Sequence, residues 1–464
     1  MEMKLLYLEN KTNKMFNIIK KVNLFCLVIL MVFSLVKIGS AQVSRPAYNS
    51  GIGLFVLDGK LHDAGGNEFI PIGANTAVFW QSEANGLKSF VDMKKAGANC
   101  ARIISVTNSP ENLWSWQSNY IKQRACVKAS IDNKIIPILE FHDVTCGNGY
   151  DNDVEDKNLK KCVDYWCTPN LVSLCKEFEK SLIVNVANEW GPTTTVWRDS
   201  YKKAITAMRA AGIKNTILID AGGCGQNPTT LINYGQELLN FDPQQNILFA
   251  IHFYGSWMTK EKVKSSWQYY VEDYLQLFKT KKLPVIVGEF GWTGAPDNFT
   301  LYDPKTIISE CNRQGIGWLY WAWNSNPTET YYDIVSDYTK GYSTESDLTI
   351  QGKYMVQQFK DNAKEAQTFL ATSAFFPEMD LQKTILIYPN PLNSNVLNIE
   401  YENIKSEDYQ DIQVINIYGQ IVKSIQLDGK LPCQLNLEGI APGTYFLTFI
   451  SDVNSYTSKL VITN

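Results

Sequence analysis

The 464-residue chain is 45% hydrophobic and 19% charged, enough apolar material for two or three domains with substantial cores. Its net charge of −4 and its pI near 5.6 exclude a basic nucleic-acid footprint. Twelve Trp and 24 Tyr supply flat rings of the kind that stack on the apolar faces of sugars, although large cores bury aromatics in any case.

Residues 1–41 read as an export signal. Lys20 and Lys21 form a basic start, 24–36 is an almost unbroken apolar run, and Gly39-Ser40-Ala41 supplies small residues before a cut at Gln42. Met15 as the true start would give a signal of ordinary length. The run is short for a span of about 20 residues. No later segment is apolar enough to cross a bilayer, so the expected mature protein is soluble, exported and without a membrane span.

Residues 54–63 predict a small hairpin turning at Asp58-Gly59. Eight short apolar runs follow, at 69–75, 99–106, 135–142, 182–188, 216–220, 247–254, 285–289 and 317–323. Most are rich in Val, Ile and Leu without strict alternation, as strands covered on both faces are. Amphipathic stretches such as 87–96, 119–133, 196–211 and 263–280 lie between them and predict helices. Strand–helix alternation implies parallel pairing, and eight units in roughly 250 residues predict a closed (β/α)8 TIM barrel. An open doubly wound sheet is the alternative, but no G-x-G-x-x-G follows the first strand. Residues 351–369 read as a last helix and 370–384 as a linker. From 385 to 464 the pattern turns all-β, with strands at 397–401, 412–417, 445–450 and 458–462. That stretch predicts a separate small sandwich after a catalytic domain at 42–369.

A barrel of this kind keeps its chemistry at the C-terminal ends of its strands. The second run carries Arg102, the third ends in His142-Asp143 and the fourth in Asn188-Glu189-Trp190. The sixth ends in His252-Phe253-Tyr254, the seventh in Gly288-Glu289-Phe290-Gly291 and the eighth in Trp321-Ala322-Trp323. Two carboxyl groups facing each other across one rim suit glycoside hydrolysis: one, protonated, donates to the leaving oxygen, and the other, ionised, attacks the anomeric carbon. The alternative for either Glu alone is a residue bonding free amides at a helix start. The neighbours favour chemistry. Arg102 can hold Glu289 ionised, Tyr254 can donate to it, and Glu289 can raise the pKa of Glu189. Asn188 is placed to bond a sugar 2-hydroxyl. Trp321 offers a floor for a sugar, whereas Trp323 reads as readily as core.

On these residues the sequence resembles glycoside hydrolase family 5 from about residue 53 to about 360. The matching pieces are Ala187-Asn188-Glu189, Ile251-His252-Phe253-Tyr254 and Gly288-Glu289-Phe290-Gly291, in order, with Arg102, His142 and Trp321 in step. Within the family it is most similar to the bacterial β-mannanases, through Leu139-Glu140-Phe141-His142-Asp143, Val163-Asp164-Tyr165-Trp166, Asn188-Glu189-Trp190-Gly191 and Ile219-Asp220-Ala221. The resemblance implies retaining internal cleavage of β-1,4-mannan. It gives Glu189 as acid/base and Glu289 as nucleophile, with Arg102, His142, Asn188, His252, Tyr254 and Trp321 binding substrate, and no cofactor. The chain departs from the pattern at the long, Cys-bearing loop 145–167 and at Cys224, where a bulkier and often aromatic residue is expected. These departures bear on which polysaccharide is cut.

Cys146, Cys162, Cys167 and Cys175 fall within thirty residues. Export permits disulfides, so one or two are expected in this stretch, with the pairing open. Zinc fits less well, because there is no paired C-x2-C and His142 is the only nearby His. The C-terminal part resembles the sorting domain of the Bacteroidetes type IX secretion system. Ile387-Tyr388-Pro389-Asn390-Pro391, Ile417-Tyr418-Gly419-Gln420, Ala441-Pro442-Gly443-Thr444-Tyr445-Phe446 and Lys459-Leu460-Val461-Ile462 carry that likeness. It implies passage across the outer membrane to an extracellular or cell-surface location, with the type IX machinery as partner. A carbohydrate-binding sandwich is the other reading, but no Trp follows Trp323. The alternatives for the whole chain are an endo-β-1,4-glucanase on the same machinery, a non-catalytic carbohydrate-binding protein, and a metal-dependent hydrolase. The three His form no short-spaced ligand motif, which disfavours the last.

Overall fold

The computed structural model describes residues 42–81, 83–107, 119–142, 144–147, 157–260, 268–292, 304–325, 329–370, 384–402, 411–416, 420–427, 434–450 and 455–463. The expected export signal, Asp143 and most of the expected linker lie outside them. The chain divides into two compact units between residues 371 and 372.

In the first unit, eight parallel strands close into a barrel: β1 (Ile72–Thr76), β2 (Cys100–Ser105), β3 (Ile136–Phe141), β4 (Ile183–Asn185), β5 (Ile217–Asp220), β6 (Ile247–Phe253), β7 (Val285–Phe290) and β8 (Trp318–Asn324). Every residue of all eight is buried, which is why the strands read as continuous apolar runs. Helices between successive strands cover the outside, among them Glu83–Lys95, Asn119–Asp132, Thr195–Ala210 and Pro228–Phe241. Their starts are written locally: the Thr194 side chain accepts from Val196 N, and Asn227 caps a helix whose first residue is Pro228.

The hairpin Phe55–Leu57/Lys60–His62 turns at Asp58 (φ 52°) and Gly59 (φ 77°). It closes the barrel's N-terminal end, where Leu54 O accepts from Thr216 Oγ1 at 3.0 Å and from Asn246 Nδ2 at 3.1 Å.

Three expectations need correction. The helix read from 263 begins at Val271, because Tyr269–Tyr270 pairs as a strand with Trp257–Met258. The helix read over 351–369 is broken: Ile350–Asn362 ends at an extended Ala363, and a short turn, Gln367–Leu370, follows. The intervening segment is pinned to the barrel by Asn99 Nδ2 donating to Lys364 O (2.8 Å) and by the Lys94–Glu365 ion pair (2.6 Å). The disulfide joins Cys146 to Cys224, not to another member of its sequence cluster. Cys162 and Cys175 are instead buried in the core on the helices Lys157–Trp166 and Pro169–Glu177. Among the described residues no helix is long and apolar enough to cross a membrane.

The second unit has two antiparallel sheets. One orders Thr384–Tyr388, Val396–Glu402 and Gln434–Asn436. The other orders Ile421–Gln426, Asp411–Asn416, Gly443–Ile450 and Ser455–Ile462. Leu397, Ile412, Val414, Leu447, Phe449 and Leu460 form its core. The strand Ile421–Gln426 escapes sequence reading because it is an edge strand with no buried face, and Gln434–Asn436 buries only Leu435.

Candidate active site

The upper interior of the barrel is polar. Asn75, Arg102, Glu140, Asn185, Asp220, His252 and Glu289 come from the first seven strands in turn, and all are buried. Buried charge survives only when it is paired. Arg102, fully buried, provides the pairing: Nη1 donates to Glu289 Oε1 (2.6 Å) and Asn75 Oδ1 (3.1 Å), Nε to Asn185 Oδ1 (2.9 Å), and Nη2 to Asn188 Oδ1 (2.6 Å) and Asp220 Oδ2 (3.3 Å). Burial disfavours its cation, but Glu140, Asp220 and Glu289 together raise its pKa.

Local backbone aims the two glutamates. β4 is shorter than the apolar run suggests. Beyond it Asn188 N still donates to Phe141 O, and Glu189 turns sharply at φ 51°. A left-handed conformation is costly for a glutamate. Here Asp220 Oδ2 holds it by accepting from Glu189 N at 3.0 Å. Glu289 lies beside His252 in the β6–β7 register, just past an irregularity between Val287 and Glu289. Only glycine fits at 288, since a Cβ there would meet His252 Nε2 at 2.8 Å.

One oxygen of each glutamate and a ring nitrogen of His252 all lie within 4.8 Å of one another. His252 Nδ1 is 2.8 Å from Glu189 Oε1, and Tyr254 OH donates to Glu289 Oε2 at 2.9 Å. The two carboxyls are driven apart electrostatically. Burial raises the Glu189 pKa and outweighs the opposing hydrogen bond from His252, and the Glu289 charge adds to the rise. Burial would raise Glu289 too, but the charges of His252, Arg102 and His142 and the Tyr254 hydrogen bond take it below the usual carboxylate range. His252 rises to about 9, because Glu289, Asp220 and Glu189 overcome the cost of burying its cation. The spacing of Glu189, His252 and Glu289 would suit a small cation. A guanidinium already against Glu289 and a proton held on His252 oppose that use.

A cleft of about 340 Å³ opens onto the pair. It is lined by His142, Asn188, Glu189, Tyr254, Glu289 and Trp321, six of the eight residues singled out from sequence. Arg102 and His252 lie beneath it. His142 stacks on Trp321 (centroids 5.8 Å apart, 17° between planes), and its Nδ1 is 2.9 Å from Glu140 Oε1. Trp321 Nε1 donates to Glu329 at 3.2 Å, while Trp323 is core. Sequence reading missed two groups. Asn75, Asn185 and Asp220 are polar residues inside apolar runs, a signal that was present. Glu329, Tyr331 and Tyr332 line the cleft from the segment after β8, where spacing carries no such signal; Cys224 and, from the loop 145–167, Cys146 line it too, at the two departures noted in the sequence.

Residues 62–327 match the family model described as Cellulase (glycosyl hydrolase family 5), and residues 386–463 match the secretion system C-terminal sorting domain. A mannan endo-1,4-beta-mannosidase of Salipaludibacillus agaradhaerens is 30% identical over 297 residues, covering 63% of this chain and 88% of the relative. One of Streptomyces lividans is 30% identical over 290 residues, covering 62% and 70%. The solved beta-mannanase of Thermomonospora fusca superposes with a TM-score of 0.58 at 29% identity, over 68% of this chain and 99% of that one. With the family model spanning more than half of its length, the chain is a glycoside hydrolase that belongs to glycosyl hydrolase family 5.

Proposed function

We propose that this enzyme is an exported, retaining endo-β-1,4-mannanase. The observation that carries the mechanism is the pair of carboxyl groups within 4.8 Å of each other, one raised and one lowered in pKa. Retaining glycosidases hold their carboxyls about 5–5.5 Å apart. Ionised Glu289 attacks the anomeric carbon while protonated Glu189 gives its proton to the departing glycosidic oxygen, leaving a covalent glycosyl-enzyme. Glu189, now ionised, takes a proton from water, and that water displaces Glu289 and releases the sugar with its configuration kept. Arg102 and Tyr254 stabilise the charge on Glu289. His252 orients Glu189, and Asn188, His142 and Trp321 meet the substrate.

The mannosidase relatives support mannan as the polysaccharide. Endo-β-1,4-glucanase activity is the second reading, favoured by the 30% identical beta-mannanase/endoglucanase A of Caldicellulosiruptor saccharolyticus. The two sugars differ in one hydroxyl orientation, which a single pocket can invert. The C-terminal unit supports export by the type IX route, following a signal at 1–41.

The test is hydrolysis of galactomannan, glucomannan and carboxymethylcellulose, with the anomer of the first product read by NMR. Release of β-configured manno-oligosaccharides is expected. Preferential attack on carboxymethylcellulose would replace the substrate, and an α-configured first product would end the retaining mechanism.

A further inference from the structure

The Cys146–Cys224 disulfide has no part in the mechanism above, yet it lies in the cleft. Cys146 sits in the turn after β3 and Cys224 in the turn after β5. The strand between them, β4, leads directly to Glu189. The bond therefore ties together the two loops that flank the acid/base residue. Cys146 Sγ is 3.5 Å from Glu189 Oε2, the oxygen opposite the one held by His252. The contacts on the other side are equally close. A Cβ on Gly225 would fall 2.7 Å from His252 Nδ1 and 3.1 Å from Glu189 Cγ, and Gly225 O accepts from His252 N at 2.8 Å.

Gly223, Cys224 and Gly225 are three consecutive left-handed residues, at φ 63°, 55° and 70°, and Cys146 is left-handed as well, at 58°. Glycine takes that backbone freely and cysteine does not. Both half-cystines thus hold conformations that their own sequence disfavours, and the turn so shaped packs on the Glu189–His252 pair.

Taking Glu189 as the acid/base, we propose that the Cys146–Cys224 disulfide is a positioning element for that residue and a wall of the cleft on its leaving-group side. The bonded sulfurs offer no proton donor to Oε2, which favours the protonated acid. Reduction by a dithiol passes two electrons and two protons to the pair. The dithiol becomes a cyclic disulfide, and Cys146 gains an S–H that can donate to Oε2 and favour its anion.

The experiment uses the full-length chain, purified oxidised, then reduced under native conditions, alongside Cys146→Ser/Cys224→Ser. Peptide mapping first establishes the pairing; free thiols at both positions in the oxidised protein would overturn the proposal. Two aryl mannosides are then compared, one with a poor leaving group that needs acid assistance and one activated dinitrophenyl glycoside that does not. Breaking the bond should lower kcat/KM roughly tenfold to a hundredfold on the poor leaving group, the scale of a small misplacement of a catalytic group. It should leave kcat/KM of the activated substrate nearly unaffected and move the alkaline limb of kcat/KM on the poor one to lower pH. An equal fall on both substrates, or no change on either, would refute positioning. Glu189→Ala on the same pair tests the underlying assignment separately. If it spares kcat/KM of only the activated substrate, the acid role stands whatever the disulfide does; if it lowers kcat/KM of both equally, the acid role falls, and the proposal that rests on it falls too.

Discussion

Replacing Arg102 by Met removes the one cation hydrogen-bonded to Glu289 while keeping a side chain of similar reach. Its Nη1 lies 2.6 Å from Glu289 Oε1. Taking the two charge centres as about 4 Å apart, with an effective dielectric near 20, the attraction is about 4 kcal/mol, or close to 3 pH units as a ceiling. Relaxation and the remaining pull of His252 reduce this, so the expected change is about 1–2 units. The proposed mechanism needs Glu289 ionised. Losing the cation raises its pKa, so the acid limb of kcat/KM moves to higher pH and activity disappears first at low pH. Arg102→Lys keeps the charge but loses the planar fork that reaches Asn75, Asn185 and Asn188. Its acid limb should stay near that of the parent while kcat falls. The assay is kcat/KM on soluble mannan across the pH range for all three proteins, with circular dichroism as a check on folding. Uncovering Asp220 and Glu289 costs about 3–5 kcal/mol, so the Met variant should also melt earlier. An acid limb that does not move in a folded Arg102→Met protein would refute the claim that Arg102 keeps Glu289 ionised.

Tyr254→Phe removes one hydrogen bond to an ionised carboxylate, worth about 1.5–3 kcal/mol, so steady-state kinetics should show kcat lowered roughly 10- to 100-fold with the acid limb shifted upward. Asp333 is a prediction about stability. Burial pushes its pKa up to about 7, against the hydrogen bond from Ser325 N that lowers it. A carboxyl whose folded pKa is raised adds stability that is complete below its unfolded pKa and is lost as pH climbs through the folded one. Thermal melts should therefore show the parent losing up to about 4 kcal/mol between pH 4 and 7 relative to Asp333→Asn. Parallel melting curves for the two proteins would dismiss it.

Much of the barrel was legible because burial on both faces leaves an unmistakable mark: eight unbroken apolar runs became eight strands, with ends displaced by a few residues at most. The rim was legible for a related reason, since a polar residue closing an apolar run has few structural uses. That logic reached Arg102, Glu189, His252 and Glu289. It stopped short of Asp220, whose part as acceptor for a left-handed Glu189 depends on a turn that strand periodicity does not describe. The disulfide was misread because closeness along the chain was taken for closeness in space. Cys162 and Cys175 are turned into the core by their helices, while Cys224, 78 positions from Cys146, is brought to it across the end of the intervening strand β4. The broken final helix was hidden as well, since its cause is contacts with Asn99 and Lys94 more than 260 residues earlier.

The guanidinium of Arg102 gathers five partners from four strands and their ends, and none of them is a surface loop. Heredity can therefore treat this protein as two texts. The inner one resists editing, because altering any one word leaves a buried hydrogen-bonding group without its partner. The outer one, spelled by the segment around Tyr331, lines the cleft without bonding to that guanidinium. A lineage moving to a new polysaccharide would rewrite the second and copy the first unchanged.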